Sequence, residues 1–325
     1  MYTRYFVFLL TGILFLNGCK EDSVTNVIIN PNGLIPALEV NKQILLTAVS
    51  STTGGLSYLF KKNNYDEATQ NNYVSIFIEN IRFFDNLSGY YFCYDTNMVC
   101  VAHPILKNYI GQNHLEDVDS KGTKFVYIIR DSLRAKGNGF VEFYWQNQIT
   151  AIHELKVSYV SIIPGTKLFL GSGVFHDYQN GWTLDSVGMK REIIRNTVHS
   201  TAKGFAAVFQ DIIAGSSQRI DFMKAYLDSL RFFDDKSGYF FVDDMNHFSV
   251  VFPTNKLLEG TSLYDYVDPK GNYPVRSMVE VIKQDGRGFV EYYFTNPVSG
   301  TTEKKFVYVE KIEGTNYFIG TGVYF

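Results

Sequence analysis

Two lysines occupy the positions at which this sequence most strongly indicates a binding chemistry. Lys156 and Lys305 each lie inside an apolar run that predicts an internal β-strand. A buried cation is costly unless an anion pairs with it, so each lysine needs a partner. Counting across the preceding hairpin loop sets Glu142 opposite Lys156 and Glu291 opposite Lys305. Each lysine is interpreted either as half of a structural cross-strand ion pair or as the cation that binds a ligand carboxylate.

Aromatic residues close to these lysines could line a small-molecule site. A tyrosine offers an apolar ring with a hydroxyl group, which suits a small polar ligand, and a histidine can cap a loop or point into a pocket. For any single aromatic residue, filling the core is the alternative role. The predicted ligand-binding residues are His103, Tyr144, Trp145, Lys156 and Tyr159 in the first half of the chain and Tyr292, Lys305 and Tyr308 in the second half.

No pattern in the sequence predicts catalysis. There is no cluster of His, Cys and Asp at metal-ligand spacing, and no nucleophile is accompanied by a base. Asp119 and Asp268 each stand two residues before a Lys-Gly pair, which is typical of turns in which the carboxylate accepts backbone hydrogen bonds. The Gly-x-Gly segments at Gly171 and Gly320 lack the helix that follows a phosphate-binding loop, and they favour close strand packing. We predict neither enzymatic activity nor a metal or cofactor.

A disulfide is a further candidate feature of the first half. Cys93 and Cys100 flank a predicted hairpin turn, and with Thr96-Asn97 at its tip they would lie directly opposite each other. An exported protein meets an oxidising compartment, which favours a bond between them. The geometry of such a bond is often strained, and the alternative is two free thiols.

The composition excludes some classes of protein. The chain has 325 residues, 46% of them hydrophobic, and a formal net charge of -3. A length of this order accommodates two domains of about 150 residues each. The balanced charge provides no basic surface of the kind that nucleic-acid binding needs, so we predict no nucleic-acid partner.

The amino terminus resembles the signal peptide of a bacterial lipoprotein. Positive charge at Arg4 is followed by an apolar run that ends at Leu16-Asn17-Gly18-Cys19, and this run is too short to span a membrane comfortably. We predict a signal peptide over 1–18, a lipid on Cys19 and a tether over 19–35. Lys20-Glu21-Asp22 resembles the surface-export signal of Bacteroidetes lipoproteins. The predicted location is the bacterial cell envelope, at the outer membrane, facing either the periplasm or the surface.

An internal repeat organises the rest of the chain. RFFDNLSGYYF, which begins at Arg82, recurs as RFFDDKSGYFF from Arg231, and the two copies align without a gap to Val174 and Val323. Repetition on this scale indicates two similar domains, with expected limits of 36–178 and 185–325.

The hydrophobic periodicity changes along each repeat in the same order. Helical spacing over 38–60 and 66–81, and over 189–213 and 218–230, predicts two helices at the start of each copy. A hairpin over 90–102, a short helix over 124–135 and strands over 139–145, 153–162 and 168–175 follow in the first copy. The predicted fold class is α+β, with a long amino-terminal helix packed on a five-stranded antiparallel sheet in each repeat. The other face of the sheet is covered by the segment between hairpin and helix, and this is where a ligand could lie.

These repeats resemble Cache domains, the PAS-like sensor modules that lie outside the membrane in bacterial chemoreceptors and histidine kinases, and in particular their single-Cache type 2 subfamily. The resemblance rests on these segments of the first repeat, which recur in order in the second: Gly89-Tyr90-x-Phe92-x-x-Asp95, Val101-Ala102-His103-Pro104, Gly111-Gln112-Asn113, Asp119-Ser120-Lys121-Gly122, Gly139-Phe140-Val141-Glu142-x-Tyr144-Trp145, Lys156-x-Ser158-Tyr159-Val160 and Gly171-x-Gly173-Val174-Phe175.

The resemblance implies a small organic ligand, often a carboxylate, between the sheet and the loop-helix layer. The second repeat departs from the first, since Phe252 replaces His103 and Phe294 replaces Trp145. We therefore expect a lipid-anchored sensor that relays the binding of a small molecule to an unidentified partner in the envelope. The alternative is a spacer or docking module that binds no ligand.

Overall fold

The structure, a computed structural model, describes residues 33–176 and 183–325. The predicted signal peptide and Cys19 lie outside the described residues. No helix within the described ranges is long and apolar enough to span a membrane.

Each repeat folds into two helices, a hairpin, a third helix and three long strands. In the first repeat these are α1 (Ala37–Asn63), α2 (Glu67–Glu79), β2 (Tyr91–Asp95), β3 (Cys100–Ala102), α3 (Phe125–Lys136), β4 (Asn138–Gln146), β5 (His153–Ile162) and β6 (Leu168–Phe175). In the second they are α4 (Ser186–Asp211), α5 (Ser216–Leu227), β8 (Phe240–Asp244), β9 (Ser249–Val251), α6 (Pro274–Asp285), β10 (Arg287–Thr295), β11 (Thr302–Lys311) and β12 (Tyr317–Tyr324). The short strands β1 (Ile35–Pro36) and β7 (Thr183–Leu184) pair with each other at the start of the two repeats.

Two five-stranded antiparallel sheets result, in the orders β3-β2-β6-β5-β4 and β9-β8-β12-β11-β10. The helices α1, α2, α4 and α5 form one hydrophobic core with the inner faces of both sheets. The outer faces carry separate cores, closed by α3 in the first repeat and α6 in the second. The predicted α+β class, with helices packed on antiparallel sheets, is confirmed.

Local sequence sets the ends of these helices. The side chain of Asp66 accepts a hydrogen bond from the backbone N–H of Thr69 at the start of α2. Asp185 caps α4 in the same way through Gly188. After α3 the chain turns at Gly137, whose φ of 78° is a conformation that glycine adopts without strain.

The expected pairing of Glu142 with Lys156 is wrong by one residue. Phe143 lies opposite Lys156, and Glu142 lies opposite Val157. Because side chains alternate between the faces of a strand, this shift puts Glu142 on the opposite face from Lys156, where it is exposed.

The second repeat has the same register. Tyr292 lies opposite Lys305, and Glu291 instead forms an ion pair with Lys304 at 2.7 Å. Neither strand lysine has the glutamate partner that hairpin counting predicts.

The expected disulfide geometry is also absent. Cys93 pairs with Ala102, whereas Cys100 pairs with Tyr94, because the register shifts between Cys93 and Tyr94. Such an irregularity moves one strand past the other, so the two cysteines are not cross-strand partners. Both are free and buried.

Candidate functional site

The ammonium group of Lys156 lies inside a cluster of aromatic rings on the outer face of the first sheet. Its Nζ donates a hydrogen bond of 2.9 Å to the hydroxyl oxygen of Tyr90 and lies 4.1 Å from the centroid of that ring. The centroid of Phe175 is 5.2 Å away, and Lys156 as a whole is 1% exposed. Among the described residues, no carboxylate forms an ion pair with this lysine.

His103 adds a second donor to the same cavity. Its Nδ1 accepts hydrogen bonds from the backbone N–H groups of Ile105 and Leu106, at 3.2 and 2.9 Å. Burial, followed by the charge of Lys156, lowers the pKa of His103 to about 3. The ring is therefore neutral at physiological pH, and its proton is on Nε2, because an accepting nitrogen carries none.

Tyr90 provides a third donor. Its oxygen accepts the hydrogen bond from Lys156, and its own hydroxyl proton has no acceptor among the described residues. The cavity wall thus presents Lys156, His103 and Tyr90 as donors. The carboxylate on that wall, Asp117, is engaged by Nδ1 of His114 at 2.7 Å.

The cavity is small and mostly aromatic. Its volume is about 30 Å³, which is space for about two water molecules. Its other lining residues are Phe92, Tyr94, Tyr109, Phe125, Val126, Ile129, Phe143, Trp145 and Phe169. Unless the wall reorganises, the cavity accommodates a ligand of only a few non-hydrogen atoms.

Gly173 makes room for the lysine stem. A Cβ atom at this position would lie 2.8 Å from Cε of Lys156 and 2.7 Å from the backbone oxygen of Val157. The same clash would occur at Gly322, with Cε of Lys305 at 2.9 Å. The Gly-x-Gly segments therefore serve close strand packing, as the sequence predicts.

In the second repeat, the tyrosine hydroxyl that accepts from the lysine has an acceptor for its own proton. Lys305 donates to the hydroxyl of Tyr239 at 2.8 Å, Tyr239 is 3.3 Å from the hydroxyl of Tyr324, and Tyr324 donates to the backbone oxygen of Thr295 at 3.1 Å. In this series of hydrogen bonds, every hydroxyl proton has an acceptor. Burial lowers the pKa of Lys305. In the first repeat, Phe175 occupies the position that corresponds to Tyr324. The corresponding series of hydrogen bonds there therefore ends at Tyr90.

The cavity in the second repeat has different chemistry. Its volume is about 20 Å³, and Phe252 and Phe294 occupy the places of His103 and Trp145. Lys305 is not part of its wall. The charged residue on the wall is Asp243, which is 2% exposed.

Strand alternation sorts the predicted binding residues into two groups. His103, Trp145 and Lys156 line the first cavity, and Tyr292 lines the second. Lys305 lies on the same outer face without reaching the cavity wall. The other predicted tyrosines line neither cavity, because their side chains lie on the opposite faces of their strands: Tyr144, Tyr159 and Tyr308.

These three tyrosines have structural surroundings. The ring of Tyr144 lies 5.3 Å from Nζ of Lys121. Tyr159 and Tyr308 belong to the helix-side core. Tyr159 and Tyr308 lie three residues after Lys156 and Lys305, so alternation within one strand places them on the other face. Only the separation of Tyr144 from Lys156 depends on the register between strands.

Two aspartates have the turn-forming role that the sequence predicts. Oδ1 of Asp119 accepts from the backbone N–H groups of Lys121 and Thr123, and Oδ2 accepts from Tyr144 at 3.0 Å. Asp268 makes equivalent bonds. Although burial opposes its ionisation, side-chain and backbone hydrogen bonds from Asn272 and other residues lower the pKa of Asp268 to about 2.

Sequence reasoning missed Tyr90, Tyr239, Tyr324 and Asp243. Tyr90 and Tyr239 occupy the same place in both repeats, next to a glycine, and only the sheet brings them to the lysines. A usable signal for Asp243 was present: the corresponding residue of the first repeat is Tyr94, so a carboxylate replaces an aromatic ring within a buried strand.

A family profile of the Cache domain, dCache_2, matches residues 51–187 and 196–325. The chain belongs to the Cache domain family. Its two matched segments correspond to the two sheet-and-helix units described above, so the described part of the chain forms two tandem Cache-type domains.

Two curated relatives are signalling proteins. The sensor histidine kinase MctS of Rhizobium johnstonii is 31% identical over 89 residues, which are 27% of this chain and 19% of the relative. The methyl-accepting chemotaxis protein McpP of Pseudomonas putida is 28% identical over 137 residues, which are 42% of this chain and 25% of the relative. The similarity thus spans a quarter or less of each relative.

Solved structures with similarity include a periplasmic sensor domain of a chemotaxis protein, with 26% identity and a TM-score of 0.40. The similarity covers 43% of this chain and 99% of that domain. A second structure, of a Cache chemosensory domain that recognises carboxylic acid, has 28% identity and a TM-score of 0.38. That similarity covers 42% of this chain and 95% of the other.

Proposed function

We propose that this Cache protein is an extracytoplasmic sensor whose first domain binds a small carboxylate. The observation that carries the proposal is the buried ammonium of Lys156, which lines a cavity and has no anionic partner among the described residues. Truncating one partner of a buried charge pair typically costs about 2 to 5 kcal/mol, so a ligand that completes such a pair gains a substantial part of its affinity there.

The donors on the cavity wall favour an anion over a neutral ligand. A carboxylate has two oxygens that accept hydrogen bonds and no donor of its own. Lys156, Tyr90 and His103 offer N–H and O–H groups to it, and the mostly aromatic wall lowers the local dielectric constant, which strengthens these interactions. The cavity of about 30 Å³ favours an acid with a short chain.

The anchor and the signalling role complete this proposal. Cys19 carries the lipid, residues 36–178 and 185–325 form the two domains, and an envelope partner receives the signal. Replacing Cys19 with Ser should move the protein from the membrane fraction to the soluble fraction, since the acyl chains supply the anchoring energy. An unchanged membrane fraction would contradict the lipid anchor.

Thermal unfolding with short carboxylates tests the binding function. Acetate or propionate at a hundredfold excess over Kd should stabilise the protein by about 2.7 kcal/mol, because only the native state binds. The Lys156→Met variant should lose this stabilisation and keep its fold, since methionine fills similar space without a buried charge. Lys305→Met is the matched control and should retain the effect.

Other outcomes have distinct meanings. An equal response in Lys156→Met and the parent protein would remove this lysine from the site. No response of the parent protein to any member of a broad carboxylate panel would favour the spacer or docking role.

A further inference from the structure

The second cavity holds a buried carboxyl group without a full set of partners. Oδ1 of Asp243 is buried and has no hydrogen-bond partner, and the same is true of the hydroxyl oxygen of Ser249, its neighbour across β8 and β9. No described lysine, arginine or histidine forms an ion pair with Asp243. Such a group is expensive to bury, so its retention on a cavity wall indicates a role.

The remaining wall suits a positive charge. Rings of Phe241, Phe252, Phe294, Tyr266 and Tyr292 line the cavity together with apolar side chains. The faces of aromatic rings attract cations, most strongly where water is excluded. A cation at Asp243 would thus gain both a counter-ion and an aromatic surround.

Lys305 does not supply this cation. Its ammonium donates to Tyr239 and lies 5.6 Å from the centroid of Phe294 and 5.8 Å from that of Phe241, outside the cavity wall. The hydrogen-bonded chain from Tyr239 through Tyr324 to Thr295 holds it there. Asp243 is left as the charged group that faces the cavity.

We propose that the second Cache domain binds a small organic ammonium ion, held by the carboxylate of Asp243 among aromatic rings. This site extends the proposed function, because it assigns a second ligand of opposite charge to the second repeat. The cavity of about 20 Å³ limits the ligand to a group of the size of methylammonium unless the wall rearranges.

The protonation of Asp243 provides an independent signature. Burial raises the pKa of this carboxyl group to about 7, and the neighbouring charge of Asp244 contributes to the rise. The other titratable groups on the cavity wall are the hydroxyls of Tyr266 and Tyr292. A bound ammonium ion stabilises the carboxylate, so binding at pH 6 must release the proton of Asp243 to the buffer.

Isothermal titration of the full chain with methylammonium chloride tests the proposal, with sodium chloride as the control for ionic strength. We expect saturable binding at pH 8. At pH 6 the heat should depend on the ionisation enthalpy of the buffer, as expected for release of close to one proton, and at pH 8 this dependence should largely disappear. An absence of binding by the parent protein at both pH values would overturn the proposal.

Matched variants assign the site. Asp243→Asn should weaken methylammonium binding at least tenfold, whereas Tyr94→Phe, at the corresponding position of the first repeat, should leave it unchanged. Unchanged binding by Asp243→Asn would overturn the assignment. Acetate binding should respond to Lys156→Met and remain intact in Asp243→Asn, so the two proposals fail separately.

Discussion

A carboxyl group buried among apolar residues links stability to pH, and Asp243 is such a group. Burial, with a further contribution from Asp244, raises its pKa to about 7. In the unfolded chain an aspartate loses its proton near pH 4, whereas the folded protein holds this proton until about pH 7. The unfolded state therefore binds fewer protons at this group in between, and the contribution of Asp243 to the free energy of unfolding falls as the pH rises from about 4 to 7.

Replacing Asp243 with Asn should remove this pH-dependent contribution to the free energy of unfolding. At pH 8 we expect the variant to exceed the parent protein in the free energy of unfolding by a few kcal/mol, on the order of 1.4 kcal/mol for each pH unit of the shift. At pH 4 the difference should be small. Chemical denaturation at both pH values measures it, with Asp221→Asn on the exposed side of α5 as the control. A gain of equal size at both pH values would show that ionisation is not the cause.

At the scale of the elements, hydrophobic periodicity is sufficient to predict the architecture. The predicted helix over 38–60 corresponds to α1, and the predicted strand over 153–162 matches β5 residue for residue. Turn residues and alternating patterns are local properties, so they can be recognised in a single sequence. The repeat then predicts that the second half folds in the same way.

Register was less predictable than the elements themselves. Hairpin counting needs the turn geometry, and the loop between β4 and β5 places Lys156 opposite Phe143 instead of Glu142. A slip of one residue exchanges the faces of a strand, so the predicted register places Tyr144 on the face of Lys156, whereas the observed register places it on the other face. The irregularity next to Cys93 has no sequence signal and separated the expected cysteine pair.

At the scale of the whole molecule, the two repeats share one helical core. The ring of Tyr226 from α5 lies against the backbone of Gly55 in α1 and stacks on Phe77 of α2 at 5.6 Å. Polar bonds cross the same interface, since Asn196 accepts a hydrogen bond from the backbone N–H of Phe84. A core that belongs to both repeats should make them unfold together, because neither sheet can keep its inner face buried alone.

Gly55→Ala tests this cooperativity, because the new Cβ would lie 2.1 Å from the nearest ring atom of Tyr226. Overpacking of this kind costs about 1 to 3 kcal/mol, against a gain of about 1 kcal/mol in helix propensity. We expect the variant to lose stability in one transition, with hydrogen exchange accelerated equally in β5 and β11. Gly54→Ala is the matched control in the same helix, where the new Cβ meets only a terminal methyl group of Leu230 at 2.9 Å, so it should lose less. Faster exchange confined to one repeat would show that the shared core does not couple the two domains.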